Sequence, residues 1–191
     1  MTTDKSSKLI KDLKSIPSPV FYIFAAVALF AAFFVLGFSP GSVITAVFLL
    51  ALVACAASDI NRGIVPDLIP VFIAFLGVVN ILVIEHAGLQ TILNHLIGMV
   101  CVAIPMLVLS LFIKGAFGGG DIKLVAAAGL FLGWRLTVAG AFIGMFISGI
   151  YGIYLILIKK AGKKAKVKLA PFLAFGLSMA ALFSEPLLLV F

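Results

Sequence analysis

The chain has 191 residues, 64% hydrophobic and only 11% charged, where a soluble domain carries roughly 25% charged residues. Its long apolar runs exclude a water-soluble globular protein and make the bilayer the solvent, with length for one helical bundle and no second globular domain. The net charge of +7 is gathered in basic clusters at 5–14 and 159–168. Such clusters set membrane topology and touch anionic headgroups, and no basic-aromatic soluble surface accompanies them to suit nucleic acid.

In chain order, a basic segment over 1–19 comes first. Leu9, Leu13 and Ile16 share one helical face opposite several lysines, so the segment either lies along the membrane surface or forms a solvated tail. The run Val20 to Leu36 is 17 residues long and is followed by Gly37-Phe38-Ser39-Pro40-Gly41. That is longer than a signal-peptide core of about 7–15 residues and lacks a small-residue cleavage site, which predicts an uncleaved first crossing. Further crossings are predicted at 43–57, 68–84, 96–113, 122–134, 136–158 and 171–191. The stretch 124–158 must break once, because 35 residues of helix would span about 52 Å against a ~30 Å hydrocarbon core. Gly133-Trp134-Arg135 is the break, with Trp and Arg suited to the interface. Gly140, Gly144, Ser148 and Gly152 recur every four residues, a stripe for close helix approach.

Seven crossings with a cytoplasmic N-terminus put thirteen basic residues inside: Lys5, Lys8, Lys11, Lys14, Arg62, Lys114, Lys123, Lys159, Lys160, Lys163, Lys164, Lys166 and Lys168. Only Arg135 falls outside, in agreement with the positive-inside rule. The predicted fold is therefore all-α: a polytopic membrane bundle of about seven crossings, six core plus one. It is one transmembrane domain, 20–191, behind the basic segment.

Seven acids remain to be placed. Asp4 and Asp12 are solvated charges among lysines. Glu85 and His86 share an external loop with His95 nearby, a polar loop whose spacing is too loose for a metal site. Glu185 sits before Pro186, where the last helix frays. Cys55 and Cys101 stand alone in apolar runs and read as small buried residues. Asp59, in SDINRGIVPD, and Asp121, in FGGGDIK, lie 62 residues apart at the cytoplasmic membrane edge, with Asp67 at the same level. Each has a plain reading: Asp59 as a helix-end charge beside Arg62, Asp121 as an N-cap preceded by a glycine turn. Together they suit an aspartic-protease pair, in which like charges share one proton. The ionised acid then activates water and the protonated one polarises a carbonyl. Gly118, Gly119 and Gly120 would let an extended substrate backbone approach. Lys123 biases ionisation, holds lipid phosphate or snorkels.

Gly118-x-Gly120-Asp121 matches the GxGD signature of intramembrane aspartyl proteases. GGGDIKLVAAAGLFLGW (118–134), DINRGIVPD (59–67) and PFLAFG (171–176) resemble the second-aspartate, first-aspartate and C-terminal stretches of the type IV prepilin peptidases, a resemblance running over about 43–176. It implies that Asp59 and Asp121 are the catalytic pair, with Gly118, Gly119, Gly120, Lys123, Arg62, Pro66 and Asp67 as loop and supporting residues. It also implies a multi-pass plasma-membrane endopeptidase without metal or cofactor. Such an enzyme removes the short basic leader of prepilin-like proteins at the cytoplasmic face. Asp67 departs from the Asn usual after the proline; it either raises a neighbour's pKa or caps the third helix. The two CxxC pairs of the larger bifunctional members have no counterpart, so N-methylation is not expected. Two rival readings are a non-catalytic assembly partner that binds pilin-like helices and a cation transporter using both acids as a relay.

Overall fold

The computed structural model describes residues 19–85, 88–113, 117–157 and 168–184. Asp4, Asp12, His86, Lys114, the lysines at 159–166 and Glu185 lie outside the described residues, as does the predicted surface helix before residue 19.

Among the described residues the regular structure is helical: α1 (Pro19–Leu36), α2 (Pro40–Arg62), α3 (Leu68–Val79) continued by a π turn (Asn80–Ile84), α4 (Leu89–Cys101), α5 (Ala103–Phe112), α6 (Gly119–Leu132), α7 (Trp134–Leu157) and α8 (Ala170–Leu182). Three stretches are long and apolar enough to cross a membrane: Pro40–Arg62, Leu89–Phe112 and Trp134–Leu155. The second is α4 and α5 together. Each predicted run contains a helix, but two extend further than predicted. α2 continues past residue 57 and carries Asp59 in its last turn, and α4 begins at Leu89 instead of 96.

Local chemistry explains the breaks. Ser39 caps α2: its Oγ accepts the Ser42 N–H at 3.1 Å, and Pro40 presets the first turn. α2 stops at Gly63, whose φ of +66° a side chain would resist; its N–H returns to the Asp59 carbonyl at 2.8 Å. Gly133, at φ +76°, splits α6 from α7 where the sequence predicts. Beside it the Arg135 guanidinium lies 5.5 Å from the Trp134 ring centroid.

In lipid, helices associate through close packing and not through the hydrophobic effect. The small-residue stripe of α7 serves this: a Cβ on Gly144 would lie 2.7 Å from the Phe172 carbonyl oxygen of α8. α6 is held by two neighbours. A Cβ on Gly77 of α3 would meet the Leu130 backbone at 2.9 Å, and Gly98 of α4 packs directly on Gly129. Phe48 of α2 stacks on Phe131 of α6 with centroids 4.2 Å apart, both rings buried. Large apolar side chains such as Phe30, Phe34 and Phe112 face outward. That is a liability in water and ordinary in a bilayer.

Candidate active site

Asp59 and Asp121 line one cavity of about 200 Å³, together with Gly63, Ile64 and Val65 on one side and Gly118, Gly119 and Gly120 on the other. Asp59 comes from the last turn of α2 and Asp121 from the first turn of α6. Two connecting segments form the walls. The 63–65 wall is pinned by buried Ser58, whose Oγ donates to the Ile64 carbonyl at 3.0 Å. The glycine wall touches it at Gly120, where a Cβ would sit 2.7 Å from the Val65 Cβ. Gly118 leaves room for the acid itself, since a Cβ there would lie 2.9 Å from Asp121 Oδ2.

Asp121 is not the N-cap. Gly118 holds that position, and its carbonyl accepts from the Asp121 and Ile122 amides at 3.1 and 3.2 Å. A glycine can cap with its backbone alone, so the helix starts earlier and the carboxylate is left to face the cavity. Asp121 is flanked by the neighbouring Asp59 carboxylate and by the Gly118 N–H. Asp59 is 7% exposed, and its Oδ2 has no hydrogen-bond partner among the described residues. A buried carboxylate oxygen left open in this way costs stability, of order 1–3 kcal/mol. Its hydrogen-bonding capacity is unspent among the described residues.

The supporting residues are distributed unevenly. Lys123 Nζ reaches Asp67 Oδ1 at 2.6 Å, an exposed pair tying α6 to the start of α3 outside the cavity. Asp67 makes no side-chain cap to α3; its partner is the lysine. Pro66 follows the cavity wall, and its carbonyl accepts the Ile69 N–H at 3.1 Å. Arg62 closes α2 with a positive charge at the carbonyl end of the helix. Ile64 and Val65 escaped the sequence reading, since an apolar pair beside a proline carries no functional signal. Lys168 did too: its Nζ donates to the Ile60 carbonyl, next to Asp59.

Glu85 and His95 are more than a polar loop. His95 is 1% exposed. Its Nδ1 donates to the Leu130 carbonyl at 2.9 Å and its Nε2 meets Glu85 Oε2 at 3.0 Å, while Asn80 Nδ2 donates to Glu85 Oε1 at 3.0 Å. The set joins the π turn, α4 and α6 at the end remote from the cavity. Among the described residues no three His, Cys, Asp or Glu side chains gather as a metal set. Cys55 and Cys101 are free thiols, Cys55 fully buried and Cys101 partly.

Apolar helices that expose their aromatic side chains, with two acids converging from helix ends on a glycine-walled cavity, define a helical membrane protein built around a carboxylate pair. The chain belongs to the type IV leader peptidase family, whose sequence model matches residues 46–153 and so includes both acids. It is 28% identical over 143 residues to the prepilin leader peptidase/N-methyltransferase of Bacillus subtilis (strain 168), covering 74% of this chain and 56% of that protein. It is 32% identical over 72 residues to the enzyme of the same name from Aeromonas salmonicida (strain A449), covering 38% of this chain and 25% of that one. The match thus takes in about half the length of the first relative and a quarter of the second. No solved structure matches significantly.

Proposed function

We propose that this chain is an aspartic endopeptidase that removes the leader from prepilin-like precursors (type IV or Flp pilins, pseudopilins or archaellin-like proteins), with Asp59 and Asp121 as its catalytic pair. The observation that carries this reading is the shared cavity: two carboxylates lining one space between the 63–65 segment and the glycines that open α6. Two like charges so placed retain one proton between them. The ionised carboxylate takes a proton from water as the water oxygen bonds to the scissile carbonyl carbon. The protonated carboxyl gives its proton to the carbonyl oxygen, and a gem-diol forms. The first acid, now protonated, passes its proton to the leaving nitrogen as the C–N bond breaks. One diol hydroxyl returns a proton to the second acid, and both acids regain their starting states.

The cavity lies at the cytoplasmic face in this reading. α1, α2, α3 with its π turn, α4–α5, α6, α7 and α8 cross in turn from a cytoplasmic N-terminus, and this matches the thirteen-to-one distribution of basic residues. Three contacts support the alternation. Lys123–Asp67 and Lys168–Ile60 join elements on the side of the acids, whereas His95–Glu85 joins elements at the opposite end. The partners are then the inner-membrane bilayer and a substrate whose leader lies on the cytoplasmic side.

The test is the mass of a co-expressed prepilin-like protein with and without this chain. Wild type yields the leaderless product; Asp59→Ala and Asp121→Ala insert in the membrane and yield none. Full cleavage by either variant sinks the assignment.

A further inference from the structure

The residues that open α8 reach the site from a part of the chain the mechanism above leaves unused. Lys168 Nζ donates to the Ile60 carbonyl, one of the last four of α2, which have no partner within their own helix. Ile60 is the residue after Asp59. Two positions beyond the lysine, the Ala170 backbone N–H donates to the Asp59 carboxylate. Pro171 presets the first turn of α8, and Ala170, Leu173 and Ala174 are buried, so this helix start is pinned in place. Lys168 and the start of α8 therefore bring positive charge to the turn of α2 that carries Asp59.

Asp121 stands instead beside the Asp59 carboxylate and the Gly118 N–H. Lys123, two residues away, is engaged by Asp67 at 2.6 Å. Among the described residues the charged and titratable groups around Asp59 are Lys168 and the α8 start on one side, Asp121 of α6 on another, and Arg62 and Cys55 on α2 itself, with the engaged Asp67 at the start of α3. The two acids are chemically similar, and their surroundings are not.

We propose that Lys168, with the first turn of α8, is a positioning element for Asp59, making Asp59 the ionised, water-activating member of the pair and Asp121 the member that holds the shared proton. This deepens the peptidase reading and, for its catalytic half, rests on it. If Lys168 only capped α2, its loss would cost stability and leave the proton where it was.

Infrared spectroscopy of the protein in nanodiscs tests the assignment without any cleavage. The protonated-carboxyl band is recorded at about pH 5, above the ordinary carboxylate range, in an E85Q background to remove the carboxyl bonded to His95. D59N keeps the band and D121N loses it. D121N/K168M regains it, because Asp59 without its cation takes up a proton, while D121N/K168R does not. A band lost in D59N but kept in D121N overturns the proposal, as does a D121N/K168M spectrum identical to that of D121N. In the activity arm the probe is a lysine-bearing leader ending in glycine, fused to an apolar helix. K168M moves the acidic limb of the rate profile to higher pH and lowers the rate at pH 6 about tenfold, with K168R restoring it. An unmoved profile in K168M overturns the proposal. A wild type that shows the infrared pattern but leaves the probe uncut sinks the peptidase reading and keeps the proton assignment.

Discussion

The two ends of α6 meet acids in opposite ways. Near its C-terminal end Glu85 is fully engaged: His95 takes one oxygen and Asn80 the other, and the second imidazole nitrogen is spent on the Leu130 carbonyl. At its N-terminal end Asp121 and Asp59 face each other across a cavity, and Asp59 Oδ2 has no partner among the described residues. A satisfied polar cluster holds helices together, and one left open has bonding capacity to spend on a ligand. Polar side chains thus fasten helices at one end and line an open cavity at the other.

The comparison breaks most readily at Asp59. Asp59→Asn is expected to lower leader cleavage by at least about 10³-fold. The Tm should not fall, because Asn matches Asp in size and removes the cost of burying its carboxylate. A variant that loses stability in step with activity would make Asp59 structural. Gly120→Ala comes next. Its new Cβ meets Val65, costing about 1–3 kcal/mol by overpacking, and displacing the cavity wall lowers kcat/KM on the order of 10²-fold. Wild-type kinetics there would show that the two walls need not touch. At the other end His95→Ala reverses the pattern. It strips partners from Glu85 and Leu130 and lowers stability by about 1–3 kcal/mol in thermal unfolding, while cleavage per folded molecule stays within about twofold of wild type.

The smallest effect belongs to Lys123→Ala. Its ion pair with Asp67 is exposed, with side chains 58% and 73% accessible, so less than about 1 kcal/mol should be lost. A larger loss would give that pair a role beyond tying α6 to α3.

Much of this is legible in sequence because it is local. Run length and turn residues mark the break at Gly133, and the two aspartate strings flag the cavity's acids and glycines. What stays hidden depends on distant partners. Lys168 finds its acceptor 108 residues earlier in the chain, and nothing beside it in sequence announces that. His95 interrupts an apolar run, so hydropathy starts the fourth crossing after it. In the fold its partners are a π-turn neighbour and a carbonyl 35 residues away, which make a buried histidine tolerable. Asp121 looks like a cap because glycine leaves no trace of capping; only the backbone bonds to Gly118 reveal which residue does it.

The glycine contacts along α6 also govern what can move. With Leu130 lying against Gly77 and Gly129 against Gly98, backbone meets backbone on two sides. A sliding or rolling helix would collide before it travelled far. α6 is therefore a fixed post, and the non-helical 63–66 segment opposite is set against it by the Ser58 hydroxyl and by the close approach of Val65 to Gly120.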